Sequence, residues 1–148
     1  MSLKTDIIFV RAIRSNDELI GLLPAGDVYN TTIALPEEEA MNVPVPYCIV
    51  SYDGMVNDQS TKDSYEGDTD QVTITIEVAA ETREQLCDMM ETVRETVLSF
   101  FEGLQSDPTD EDYDLLPKDY QLSASRVIYD ADKPCYFQVL TYVCDTNA

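Results

Sequence analysis

The amino-acid sequence predicts an α+β fold: a single domain with a four- to five-stranded, mostly antiparallel or mixed sheet and two main helices packed on one face. Three observations carry this. Residues 71–78 alternate strictly, with Val72, Ile74, Ile76 and Val78 pointing one way and Gln71, Thr73, Thr75 and Glu77 the other. After a hinge at 79–82, Leu86, Met89, Met90, Val93, Val97, Phe100, Phe101 and Leu104 recur at spacings of three and four, the stripe of a helix lying across a sheet. The chain then closes in a hairpin, with strands at 120–129 and 135–143 about a turn at 130–134.

The elements follow in order. Residues 5–14 form a first helix, with Ile7, Ile8, Val10 and Ile13 as its apolar positions. A short turn of helix at 16–22 is stopped by Pro24 and Gly26. Val28 and Tyr29 mark a brief strand at 27–30, and residues 31–46 read as a proline-rich loop carrying Glu37, Glu38 and Glu39. The run Tyr-Cys-Ile-Val-Ser-Tyr at 47–52 has high strand propensity. Residues 53–70 show neither helical nor strand periodicity and are expected to be a long, mobile loop, a feature that is uncommon in a compact domain unless it has a function. The half-polar strand at 71–78 implies one buried and one wet face. Thr82 supplies a helix N-cap and Gln85 completes a capping-box pattern for the helix expected at 83–101. A second acidic loop spans 105–119, and Pro134 sits at the first residue of the last strand, where a missing N–H is tolerated.

Composition narrows the function. A chain of 148 residues can bury a real core as one domain. Twenty-nine acidic against nine basic residues give a net charge of −20, which repels nucleic-acid phosphates and anionic lipid. Direct nucleic-acid binding and membrane association are therefore not expected, and no apolar run approaches the ~20 residues that span a bilayer. Acidity can serve solubility alone, or it can face a basic partner or line a passage for a polyanion. Cys48, Cys87, Cys135 and Cys144 show no metal spacing, and no histidine is present to assist. Met1 to Lys4 leads directly into an amphipathic stretch and does not read as a secretory leader. Reduced, mostly buried thiols are expected.

Catalytic chemistry finds little support. There is no histidine for a hydrolytic triad, no phosphate-cradling glycine loop, and the few lysines lie in loops, turns or the N-terminus. Asp107, Asp110, Glu111, Asp112 and Asp114 form an oxygen-rich cluster of the kind that hard cations bind, but the calcium-loop glycine is absent and Lys118 stands at its terminal glutamate position. A solvated acidic loop is the expectation, with no metal and no cofactor. Tyr120, Tyr129, Tyr136 and Tyr142 are expected to fill the sheet, because no basic residues interleave with them to bind nucleic acid.

The order of elements and several local motifs resemble the tail-terminator or tail-completion proteins of long-tailed bacteriophages, including prophage copies. The matching features are an N-terminal helix, a short strand at Val28-Tyr29 and a proline-rich loop, then Pro46-Tyr47 opening a strand that continues Cys48-Ile49-Val50. A polar loop follows, then the alternating strand 71–78 running into the helix 83–101, and an Asp-containing turn at 130–136 between the last strands. The resemblance spans nearly the whole chain; the acidic 105–119 loop is longer than the family pattern. It implies a non-enzymatic structural subunit that forms a ring, commonly a hexamer, capping the tail tube, with the tube protein and head-completion proteins as partners. The expected locations are the virion tail and the host bacterial cytoplasm during assembly. Asp53, Asp58, Asp63, Glu66, Asp68 and Asp70 are the residues expected at a subunit or partner interface. Two other readings stay open: a monomeric acidic adaptor or DNA-mimicking inhibitor, and a Mg²⁺-dependent enzyme using the acidic loops.

Overall fold

The computed structural model describes residues 2–30, 44–58 and 69–147. Its helices are α1 (Thr5–Arg14), α2 (Asp17–Leu22) and α3 (Arg83–Gln105), and its strands are β1 (Tyr29–Asn30), β2 (Tyr47–Asp58), β3 (Thr69–Ala80), β4 (Asp119–Ala124), β5 (Ile128–Asp130) and β6 (Cys135–Asn147). Single 3₁₀ turns precede α1 at Ser2–Lys4 and interrupt the acidic loop at Tyr113–Leu115. The sheet runs β1-β2-β3-β6-β4, with β5 also on β6. Among the described residues only the short β1–β2 pairing is parallel, so this is the mixed α+β sheet that the alternating strand predicts.

The central strand behaves as its pattern dictates. Val72, Ile74, Ile76 and Val78 are all fully buried, while Gln71 is exposed and Thr73, Thr75 and Glu77 are half-buried on the opposite face. The helix stripe meets that buried face: Leu86, Met89, Met90, Val93, Val97, Phe101 and Leu104 are buried, and α3 touches β3, β6 and α1. Phe100 departs from the stripe and sits half-buried beside α2. The Thr82 hydroxyl accepts the Gln85 N–H at 3.1 Å, and the Gln85 side chain accepts the Glu81 N–H at 3.2 Å, so the helix starts at the expected residue. It ends one turn later than expected, at Gln105, since Leu104 still finds the core.

α1 lies against α3 and over β2, burying Ile8, Phe9, Ala12 and Ile13. Asn16 caps α2, accepting from the Leu19 N–H at 3.1 Å, and its amide nitrogen donates to Thr96 Oγ1 at 2.9 Å, tying α2 to α3. Phe9, Phe101, Tyr120 and Tyr142 form a chain of edge and tilted ring contacts between the two layers, with centroids 4.8–5.9 Å apart.

The structure corrects two stretches of the predicted map. Residues 53–58 and 69–70, read as the ends of a long loop, are strand: β2 and β3 pair as a hairpin out to Asp58 and Thr69. Between Tyr52 and Gly54 the register slips by one, so Asp53 is an extra residue in a β-bulge. Before the bulge the core-facing positions are even-numbered; after it Met55 pairs with the core residue Val72, and strict alternation is lost to the eye. Gly54 supports the distortion at φ +136, a region that favours glycine. The second correction is the strand expected at 120–129, which is broken into β4 and β5. Between Ala124 and Ile128 the register against β6 shifts by one residue: the Ser125 Oγ accepts the Val139 N–H at 3.0 Å and its carbonyl accepts Gln138 Nε2 at 2.8 Å. Residues 59–68, the rest of the expected loop, lie outside the described residues, as do residues 31–43 of the expected proline-rich loop.

Candidate interaction surface

The described helices pack on one face of the sheet, and no described helix lies on the other, although at one end of that face Tyr47, Ala79 and Cys135 are buried in a small cluster with Tyr29, Val45, Ile49 and Phe137. The register identifies what that open face presents. β2 contributes Ile49, Ser51 and Val56, and β3 Gln71, Thr73, Thr75 and Glu77; β6 adds Phe137, Val139, Thr141 and Val143, and β4 Gln121 and Ser123. Its centre is therefore neutral and rich in β-branched side chains, on a chain whose net charge is −20. Glu77 is the exception, and it is held: the Tyr47 hydroxyl donates to Glu77 Oε2 at 2.8 Å. Burial, with the Glu77 carboxylate beside it, pushes the Tyr47 phenol far above its ordinary range, so it remains a donor. The Lys133 ammonium lies 5.2 Å from the Tyr47 ring centroid. Other acids of this face, such as Asp119 and Asp145, stand toward one end.

The opposite side of the molecule is different. The solvent side of α3 carries Glu84, Asp88, Glu91, Glu95 and Glu102, all exposed, and an open groove of about 730 Å³ between α3 and α2 is lined by Asp17, Glu18 and Glu95 with small polar side chains. The two faces thus divide the work: one repels like charge, the other does not.

The predicted interface acids distribute unevenly. Asp53 is exposed at the bulge of β2, and Asp58 closes that strand. Asp70 corrects the expectation of an exposed loop carboxylate: it is buried on the core side of β3, where Asn57 Nδ2 donates to its Oδ1 at 2.6 Å. Asp63, Glu66 and Asp68 lie outside the described residues. The sequence reading missed the apolar residues of the open face, Ile49, Phe137, Val139 and Val143. Their signal was the absence of alternation in 135–144, where both faces of a strand are apolar though helices cover only one.

The acidic loop at 105–119 is built rather than loose. Asp107 Oδ1 accepts the Thr109 N–H at 3.2 Å and its hydroxyl at 2.5 Å, and Asp110 Oδ1 accepts the Asp112 N–H at 2.9 Å. Asp112 pairs with Arg11 of α1, pinning the loop to the helix layer. These carboxylates turn into separate local bonds, and among the described residues no group of three or more potential ligands converges on a metal position. Arg14 and Asp27 form a forked pair with both bonds at 2.9 Å, which holds Asp27 below the usual carboxylate range and raises Arg14. Burial pushes the Cys48 and Cys144 thiols up to about 12, so they are protonated side chains of the core and not nucleophiles. All four cysteines are free, with Cys87 alone exposed. Of the sheet tyrosines, Tyr142 is buried as expected, but Tyr129 is 53% exposed and rests its ring on Tyr136 at 4.9 Å.

The sequence matches no protein-family model and no curated protein.

Proposed function

We propose that this chain is a non-enzymatic structural subunit of a phage or prophage tail. It assembles with copies of itself into a ring, a hexamer in the family it resembles, which caps the tail tube, ends its growth and joins tail to head. The observation that carries this reading is the open, neutral sheet face on an otherwise strongly acidic chain. A helix layer on one side, with a wide β-branched face that no described helix covers on the other, suits a subunit that is finished by its neighbours. The resemblance in element order supports the tail assignment, with the virion tail and, before that, the host bacterial cytoplasm as the locations it implies. Six subunits at −20 carry about −120, a repulsion that physiological salt screens beyond ~8–10 Å.

Light scattering across a salt and Mg²⁺ series tests the proposal, together with co-sedimentation on purified tail tubes. Rings that grow with ionic strength and cap tube ends are expected. A chain that stays monomeric at high concentration in salt and Mg²⁺, and that ignores tubes, refutes it. The acidic row on the solvent side of α3 favours one second reading, an acidic adaptor or DNA-mimicking inhibitor. A monomer that binds a basic nuclease or repressor is its signature.

A further inference from the structure

We infer that copies of this chain join head to tail through two strand edges that no described residue pairs, β4 of one copy adding to the outer edge of β2 of the next in an antiparallel ladder. This rests on the self-assembly reading above, and it names the surfaces that reading leaves open.

The open face alone is too small to hold a ring. Four strands at ~4.8 Å spacing and about seven residues at ~3.4 Å give roughly 500 Å², against the ~800 Å² per partner of a stable contact. The edges add what the face lacks, backbone donors and acceptors that pair in a ladder. β1 covers β2 only at Ile49 and Val50, and no described residue pairs with β2 beyond them. β4 pairs with β6 on one side and with nothing described on the other.

Hydrogen-bond alternation shows which backbone groups those edges present. The Ser125 N–H donates to the Val139 carbonyl at 2.9 Å, so the odd residues of β6 turn their polar backbone toward β4 and its even residues toward β3. Carried across the sheet by the register, this leaves the outward backbone groups of β2 at Tyr52, Met55 and Asn57, and those of β4 at Tyr120, Leu122 and Ala124. The Tyr120 N–H is taken by Asp119 Oδ1 at 2.8 Å, which leaves Leu122 and Ala124 as ready donors.

Direction and charge then select the pairing. β2, β3, β6 and β4 alternate in direction along the sheet, so β2 and β4 run oppositely, and copies set side by side in the same orientation meet as an antiparallel pair. β4 is flanked by Lys118 and Arg126, two of only nine basic residues, both exposed and neither in an ion pair among the described residues. The free stretch of β2 carries Asp53 and ends at Asp58. In the antiparallel arrangement Lys118 falls toward the Asp58 end and Arg126 toward the Asp53 end. Pairing β2 with β2, or β4 with β4, would instead set like charges together, so the contact is heterologous, the kind that closes rings.

The experiment uses two edge-blocked full-length chains. Ala124→Pro removes an outward donor of β4, and Met55→Pro removes one of β2, each without taking a donor from the internal ladder. Wild type is expected to assemble, each variant alone to run as a monomer with a wild-type far-UV spectrum, and the two mixed to form a heterodimer and nothing larger. Lys118→Glu/Arg126→Glu, which leaves the backbone untouched, should weaken wild-type-style assembly at least tenfold and keep a wild-type melt. If wild type forms rings and Ala124→Pro and Lys118→Glu/Arg126→Glu form them equally well, the edge pairing is wrong while the assembly reading stands. If wild type never assembles, both fall.

Discussion

Val93→Asp is the sharpest probe of how the two layers hold together. Val93 is fully buried on the face of α3 that meets the sheet, within the stripe from Leu86 to Leu104. A carboxylate there has no partner, so the group accepts a proton rather than remain charged. Raising its pKa from ~3.9 to about 7 costs roughly 4 kcal/mol at pH 7, at 1.36 kcal/mol per unit. Losing the buried valine surface adds about 1.5–3 kcal/mol. The sum is comparable with the ~5–15 kcal/mol that keeps a domain of this size folded. The sign of the pH dependence is fixed: a folded pKa above the unfolded one gives a penalty absent below about pH 4 that grows as pH rises toward the folded value. Urea unfolding followed by far-UV circular dichroism at pH 5 and 7.5 measures both terms. The variant should be largely unfolded at pH 7.5 and recover part of its stability at pH 5, while Val93→Ala loses about 2 kcal/mol at either pH. Leu98→Asp, on the far side of the same helix where the side chain is 45% exposed, should change stability by under about 0.5 kcal/mol. A Val93→Asp chain as stable as wild type at pH 7.5 would refute the placement of this helix face.

Two further outcomes follow from buried polar groups. The Tyr142 hydroxyl is buried with no hydrogen-bond partner among the described residues, so Tyr142→Phe should stabilise the fold by about 1 kcal/mol in thermal melts; a loss of that size would reveal a partner for the hydroxyl. Cys48 and Cys144 titrate at about 12 when folded against an ordinary value near 9, so their contribution is complete below pH 9 and falls as pH rises toward 12. Between pH 9 and 10.5 the pair should remove roughly 3 kcal/mol, read as a falling urea midpoint, and Ellman's reagent at pH 8 should label Cys87 alone until denaturant is added.

The parts of the fold legible in the sequence are those where one periodicity runs unbroken. Val72 to Val78 and Leu86 to Leu104 each keep a single period, and Thr82 marks the helix start with its own hydroxyl. Legibility fails wherever an extra residue changes the parity. Asp53 displaces Met55 and Asn57 onto the face that an even count denies them, so the outer half of β2 reads as loop. An extra residue between Ala124 and Ile128 does the same to β4 and β5, although Val127, Ile128 and Tyr129 have strand propensity. Asp70 departs from the loop reading for the same reason: its strand register turns it inward, where Asn57 meets it. The neutral face was hidden because its residues come from strands far apart in the chain, and only the register assembles them.

The bulge at Asp53 also makes the direction of the outer hairpin a matter of chain length. The pairs on either side of it, Tyr52 with Ile74 and Gly54 with Thr73, are those of a continuous ladder with one residue looped out. Removing Asp53 by a single-codon deletion therefore keeps every side chain on its present face and every cross-strand neighbour in place. What it takes away is the local bend and extra twist that a bulge imposes. Substitution at this site alters charge while leaving the angle alone; deletion alters the angle and sheds one charge. The hairpin can thus be re-aimed during descent by one in-frame loss, with the core beneath it untouched.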